Sequence, residues 1–288
     1  MTKEAAGEIM RELAGKTAFV TGGAAGIGLA LGRAFAEAGM NVMLADIETD
    51  ALAAAAKSLD AFGPNVRSVI CDVADPVSVG RAAEASYAAF GKVHVVCNNA
   101  GVAAGGGIDN ISLDNWRWVL DVNLMGVIHG IAAFLPHIRG HGEGGHLVNT
   151  ASMAGMNGGG GLGFSPYTAS KFAVVGLSEG LAAQLHPFGI GVSVLCPSFV
   201  RTGIGESGRN RPQRYGPTPT LDPASPAAAI VAAIATQLQA GLDPAAVAAR
   251  VLDAVRNDEL YVFTHPNMRE AVDGRFAAIR AAMDKVTG

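Results

Sequence analysis

Closely spaced cysteines and an HExxH motif are missing from this 288-residue chain. Its three cysteines, Cys71, Cys97 and Cys196, stand far apart, each at the end of an apolar, strand-like run, and its seven histidines form no HExxH or similar pair. Buried structural thiols in a reducing compartment are expected, with no disulfide and no metal site. Positive charge is not in excess: 21 Lys and Arg against 25 Asp and Glu leave a formal charge of −4. That balance argues against a nucleic-acid partner. No apolar run reaches the roughly 20 residues of a membrane span, since even Ala227 to Ala235 is ended by Thr236 and Gln237. Met1 to Gly15 carries Lys3, Glu4, Glu8, Arg11 and Glu12 and no apolar stretch, so neither a secretory signal nor a membrane is expected, and the location expected is cytoplasmic.

What the chain has is apolar surface and glycine. Half of its residues are apolar (50%), enough to bury a core and exclude disorder. Glycine, at 38 of 288 residues, is nearly twice its usual share and requires a local reason. Short runs rich in Val, Ile, Leu and Phe alternate with Ala-rich segments of helical period, the pattern of repeated βαβ units. Strands are expected at 17–21, 41–46, 66–71, 93–97, 145–150, 191–197 and 260–263. The helices expected between and after them cover 26–38, 49–62, 76–90, 115–138, 166–186, 244–256 and 267–283. The fold class that follows is one α/β domain over 1–288, a doubly wound parallel sheet of about seven strands with helices on both faces. Between Val200 and Ser225 the apolar period lapses, and five of the 13 prolines gather over 212–226, which marks the start of a substrate lid at about 200–250.

The first strand runs into Thr21-Gly22-Gly23-Ala24-Ala25-Gly26-Ile27-Gly28 and an apolar helix. Three glycines so spaced are weak alone, with about 0.6 chance matches in a chain this rich in Gly. Their place between strand and helix strengthens them, because backbone N–H groups and the positive end of a helix dipole can then approach a pyrophosphate. Asp46 ends the second strand 18 residues after Gly28, where an acid would meet the adenosine ribose. A carboxylate there accepts hydrogen bonds from ribose hydroxyls and repels a 2′-phosphate. Glu48 and Asp50 add negative charge, and 22–28 and 47–50 hold no Arg or Lys, so NAD is expected over NADP.

Tyr167 and Lys171 lie four apart on a predicted helix and share a face. Chance gives about 0.08 such pairs for four Tyr and six Lys, and this pair is the only one. A tyrosine acting as a base near neutrality needs its pKa lowered by about 3 units, and the Lys171 ammonium and an oxidised nicotinamide are two charges suited to that.

The glycine turn, Asn98-Asn99-Ala100-Gly101, Asn123, Ser152 and Tyr167-x-x-x-Lys171 follow one another in an order and spacing that resemble the short-chain dehydrogenase/reductase family over residues 14 to 202. The resemblance implies a single Rossmann-type domain. It implies Tyr167 as general acid/base, Ser152 as anchor of the substrate oxygen, Lys171 as ribose contact and Asn123 as member of a proton relay. For the cofactor it implies Gly22, Gly26, Ile27, Gly28 and Asp46, with Asp72 and Val73 at the adenine and Asn99, Ala100 and Gly101 along the adenosine side. Pro197, Val200 and Thr202 would cover the nicotinamide. Ser198 departs from the family, which usually has Gly after the proline. Members assemble as tetramers or dimers through helices matching 115–138 and 166–186, so a homo-oligomer is expected.

The expected reaction is NAD-dependent interconversion of a secondary alcohol and a ketone, the small-molecule partner of the chain. Glu206-Ser207-Gly208, Asn210-Arg211-Pro212, the run Leu260 to His265 and Arg269-Glu270 resemble bacterial dehydrogenases of the benzylic Cα alcohol in lignin β-aryl ethers. The glycines at 158–161 and 163 fit a roomy site beside Tyr167. An aliphatic or alicyclic alcohol is the alternative, and a non-catalytic NAD sensor a more distant one.

Overall fold

The computed structural model describes residues 10–104, 111–158, 163–218, 222 and 224–286. Seven strands form: β1 (Thr17–Thr21), β2 (Asn41–Asp46), β3 (Val66–Ile70), β4 (Val95–Asn98), β5 (Gly145–Thr150), β6 (Ile190–Cys196) and β7 (Tyr261–Phe263). All pair in parallel, in the order β3-β2-β1-β4-β5-β6-β7. The central β1, β4 and β5 are buried throughout, their few polar residues included, as helices covering both faces require, while the edge strands β3 and β7 keep exposed residues.

Helices α1 (Gly26–Glu37), α2 (Thr49–Lys57) and α9 (Pro244–Asn257) cover one face. On the other lie α3 (Pro76–Phe90), α5 (Gly126–His141) and α7 (Ser165–Leu185). The period-2 alternation of the strands feeds two cores. Ala18 and Val20 of β1 join Leu31, Phe35 and Val251 on one side, and Phe19 joins Val79, Phe134 and Ile138 on the other. The remaining helices are α4 (Leu113–Leu120), α6 (Ala154–Asn157), α8 (Pro226–Gln239) and α10 (Arg269–Met283). Strand order reverses between β1 and β4, and a crevice opens at such a switch point beyond the C-terminal strand ends. All three cysteines are buried and free.

Three departures from expectation have local causes. The helix expected over 49–62 stops at Lys57, and a 3₁₀ segment, Asp60–Asn65, follows, turned by Gly63 (φ 57°) and Pro64. The helix expected over 115–138 is α4 and α5 joined by a π turn, Asp121–Met125, the wider winding that holds Asn123 fully buried. The combined Leu113–His141 is, at 29 residues, long and apolar enough to cross a membrane, against the expectation from single runs. In this fold it lies on the sheet, with Val127, Gly130, Phe134 and Ile138 buried.

Candidate active site

The crevice begins where β1 feeds α1. Four helices are capped by side chains, Asp75 for α3, Ser112 for α4, Ser225 for α8 and Asp243 for α9. By contrast α1 starts from Ala25, with no side-chain cap and no acid in its first turn, an end suited to an anion. Glycine is required here by contact. A Cβ on Gly28 would stand 2.0 Å from the Gly22 carbonyl oxygen, and one on Gly26, whose φ is 53°, 2.9 Å from Cγ2 of Thr202. Ile27, between them, packs partly buried on the α1 core.

Backbone bonds fix the acids around this turn. Asp46 accepts from the N–H of Ala24 through Oδ2 and from that of Glu48 through Oδ1, both at 3.0 Å. Asp72 accepts from the Ala74 N–H at 3.0 Å, and the buried Val73 abuts Gly126. Thr21 Oγ1 accepts from the N–H groups of Asn99 (2.9 Å) and Ala100 (3.0 Å). The Asn99 amide donates to the Thr21 carbonyl at 3.0 Å and accepts from Thr150 at 3.3 Å. Asn99 therefore ties the ends of β1, β4 and β5 together, and its side chain is spent on that. Beyond β6, the Pro197 carbonyl accepts from the Met153 N–H at 2.9 Å, and buried Val200 bridges to Leu242.

On the other side of the crevice α7 presents Tyr167 and Lys171, and the loop after β5 presents Ser152. Lys171 is buried, its Nζ 2.7 Å from the Thr150 carbonyl it donates to and 5.5 Å from the Tyr167 ring centroid. Burial pulls the Lys171 ammonium down to about 8. It pushes the Tyr167 phenol above its ordinary value, against a hydrogen bond with Ser152 that lowers it. Burial is the largest influence on the phenol, and the Lys171 ammonium is committed to the Thr150 carbonyl.

Asn123 reaches the same place by another route. Its Oδ1 accepts from the Val102 N–H at 2.8 Å, and its Nδ2 donates to the Val102 carbonyl at 2.9 Å and to Ser170 Oγ at 3.2 Å. Its side chain chiefly pins the loop after β4. A Cβ on Gly101 would stand 3.5 Å from Asn123 Oδ1 and 3.6 Å from Lys171 Nζ, so glycine keeps clear the gap between the two.

The lid is not irregular throughout: Gly203–Asn210 and Gln213–Tyr215 form 3₁₀ turns. Tyr215 is buried with Val102, Trp118 and Val119 in a small cluster against which Tyr167 packs, and its hydroxyl donates to Asp121 at 2.8 Å. Arg211 holds the carbonyls of Tyr215 and Gly216 and Oδ1 of Asn115, with its guanidinium 5.0 Å from the Trp118 ring centroid. Arg209 pairs with Glu48 and Arg214 with Asp72. The Arg209 hydrogen bonds hold the Glu48 carboxyl below the usual carboxylate range. Glu48 is therefore not the uncompensated negative charge its neighbours in sequence suggest. Ser198, the departure from the family pattern, donates its N–H to His265 at 3.3 Å, and His265 also bonds the Phe199 carbonyl at 3.1 Å. Of the glycines at 158–161 and 163, residues 159–161 lie outside the described residues, while Gly158 and Gly163 turn at φ 78° and 71°.

A parallel sheet with an uncapped glycine turn at its switch point and a Ser/Tyr/Lys group across the crevice defines a dinucleotide-dependent dehydrogenase architecture. Residues 16–213 match the family model for short chain dehydrogenases, and the chain belongs to that family. It is similar to the C alpha-dehydrogenase of Sphingobium sp. strain SYK-6, with 33% identity over 271 residues, 94% of this chain and 87% of the relative. A 1-deoxy-11-beta-hydroxypentalenate dehydrogenase of Streptomyces avermitilis is 41% identical over 188 residues, 65% of this chain and 69% of the relative. The crystal structure of a short chain dehydrogenase/reductase from Burkholderia phymatum in complex with NAD superposes with a TM-score of 0.88 at 38% identity, covering 95% of this chain and 97% of that one.

Sequence reasoning missed the partners that hold the site: Thr150, Arg209, Arg214, Tyr215 and the bracing role of His265. The cation pairs join residues 161 and 142 positions apart, and nothing in local spacing signals them.

Proposed function

We propose that the chain is an NAD-dependent oxidoreductase interconverting a secondary alcohol and a ketone. The observation that carries this reading is Tyr167, Ser152 and Lys171 standing across the crevice from the uncapped start of α1 and the Asp46 carboxylate. The glycine contacts fit a dinucleotide-binding turn, since a side chain at Gly28 would displace the Gly22 backbone that shapes it. When bound, the oxidised nicotinamide accepts hydride from the carbinol carbon and adds a positive charge to the site. Ser152 Oγ holds the alcohol oxygen and Tyr167 takes its proton, so no free alkoxide accumulates. Lys171 holds the cofactor ribose. Asn123 keeps the loop at Gly101 in place and serves the proton relay across the gap that Gly101 leaves. Pro197, Val200 and Thr202 close the nicotinamide end, and Asp72, Val73, Asn99 and Ala100 frame the adenosine end. Assembly through the outer faces of α5 and α7, as dimer or tetramer, and a cytoplasmic location belong to the same reading.

For the substrate, the finer reading is a bulky benzylic alcohol of aryl ether type. The similarity to the C alpha-dehydrogenase runs over 94% of the chain and so takes in the lid and tail, the parts that vary with substrate. An alicyclic alcohol is the second reading, supported by the higher identity to the hydroxypentalenate dehydrogenase over a shorter span. Measuring kcat/KM for an aryl glycerol ether beside cyclohexanol and 2-butanol separates them. A preference of about tenfold or more for the aryl ether is expected; preference for cyclohexanol discards the benzylic reading and leaves the dehydrogenase.

A further inference from the structure

The lid is fastened in two places, and only one of them serves the reacting carbon. Near Tyr167, Tyr215 bonds Asp121, and Ser207 Oγ accepts from the Ala103 N–H at 3.2 Å. The other fastening lies beyond the ends of β2 and β3, on the adenosine side. Arg209 meets Glu48 as a fork, Nε to Oε2 at 3.1 Å and Nη2 to Oε1 at 2.9 Å, and Asn210 donates to the same Oε1 at 2.8 Å. The remaining Arg209 nitrogen, Nη1, holds the carbonyls of Gly203 and Glu206, both at 3.0 Å, so the fork is preset by the lid's own turn. Arg214 donates to Asp72 Oδ2 at 2.6 Å. Between the two fastenings Thr202 closes on Gly26. A flap that only shielded the substrate would have no use for Glu48 and Asp72.

We propose that Arg209 and Arg214 form a cofactor-retaining latch, holding residues 202–215 across the whole dinucleotide so that it departs only after both ion pairs part. The inference rests on the reading of Asp46 and Asp72 as the adenosine end. Both arginines are positioning residues. The paired side chains are part exposed, 40% and 25% for Arg209 and Glu48, 48% and 20% for Arg214 and Asp72, so the latch is weakened by salt.

The test is the rate at which NADH leaves the holoenzyme, followed by nicotinamide fluorescence on mixing with excess NAD at low and high salt. Salt is expected to speed release from the wild type. Arg209→Ala and Arg214→Ala each speed it about 3- to 10-fold at low salt and flatten the salt dependence. The exchange Glu48→Arg with Arg209→Glu brings the rate back toward wild type, which a lid damaged by substitution would not do. Release unaltered by either variant and indifferent to salt, while Asp46→Ala still weakens NADH binding, overturns the latch. NADH binding left intact by Asp46→Ala overturns the adenosine placement, and the latch with it.

Discussion

At the mouth of α1 the crevice is lined by backbone, whereas the lid opposite is fastened by charged side chains. The first is set by the close approach of Gly28 to the Gly22 carbonyl, which leaves no room for a Cβ. The second depends on part-exposed ion pairs between residues far apart in the chain. A cradle of close backbone contacts has no ion pair for salt to screen, so it can stay formed while the cofactor comes and goes. A cover of ion pairs and one buried tyrosine can open on the time scale of turnover. Rigidity therefore sits where the cofactor is recognised, and adjustability where molecules must pass.

The largest expected effect comes from breaking the cradle. Gly28→Val drives a branched side chain into the Gly22 carbonyl, a backbone group that cannot swing aside. Loss of NAD binding by more than about 100-fold in fluorescence titration is expected, with the far-ultraviolet dichroism of the sheet retained. Near-normal binding by that variant would mean the turn is not the phosphate site. A smaller effect follows from charge at its rim. Asp46→Arg removes the two hydrogen bonds to the Ala24 and Glu48 N–H groups and offers a cation to a 2′-phosphate. The ratio of kcat/KM for NAD over NADP should fall by about tenfold or more; an unchanged ratio sinks the ribose assignment of Asp46.

An effect on stability, not on turnover, separates scaffold from lid, because the sheet should respond to pH where the lid responds to salt. His146 is buried between β5 and β6 against Ser193, and burial holds its pKa at about 3. An unfolded histidine titrates near 6.5, so the unfolded chain binds the extra proton between those values and stability falls as pH falls through that window. His94 and His141, also lowered by burial, act in the same direction. At pH 5 the His146 contribution is a loss of about 2 kcal/mol relative to pH 7.5. Urea unfolding at the two pH values measures it, and stability that rises on acidification contradicts the buried neutral imidazole.

Much of the backbone-built half was legible in the sequence. Short apolar runs and Ala-rich helical segments give the strands and their covering helices, because a central strand is buried on both faces and is mostly apolar, with polar exceptions such as His146 and Asn149. The glycine turn, Asp46 and the Tyr167/Lys171 pair were readable for the same reason: spacing along one element fixes which side chains share a face. The place of the lid was expected, but its ordering escaped, because that comes from contacts such as Arg209 with Glu48, which depend on the fold being already complete. The π turn at Asn123 escaped too, since one additional residue in a helical turn leaves the apolar period nearly unaltered. The charge of Lys171 beside Tyr167 was legible from spacing, whereas the burial that raises the phenol depends on the finished packing.

The central claim is that Tyr167 transfers the proton in a hydride-transfer reaction at this site, and one substitution isolates it. Tyr167→Phe removes a single oxygen and leaves the ring in its cluster with Trp118 and Tyr215. With a secondary alcohol that the wild type oxidises, formation of reduced nicotinamide is followed by absorbance alongside NAD affinity. A fall in kcat of about 100-fold or more is expected, with NAD bound as before. Turnover within a few-fold of wild type would contradict it.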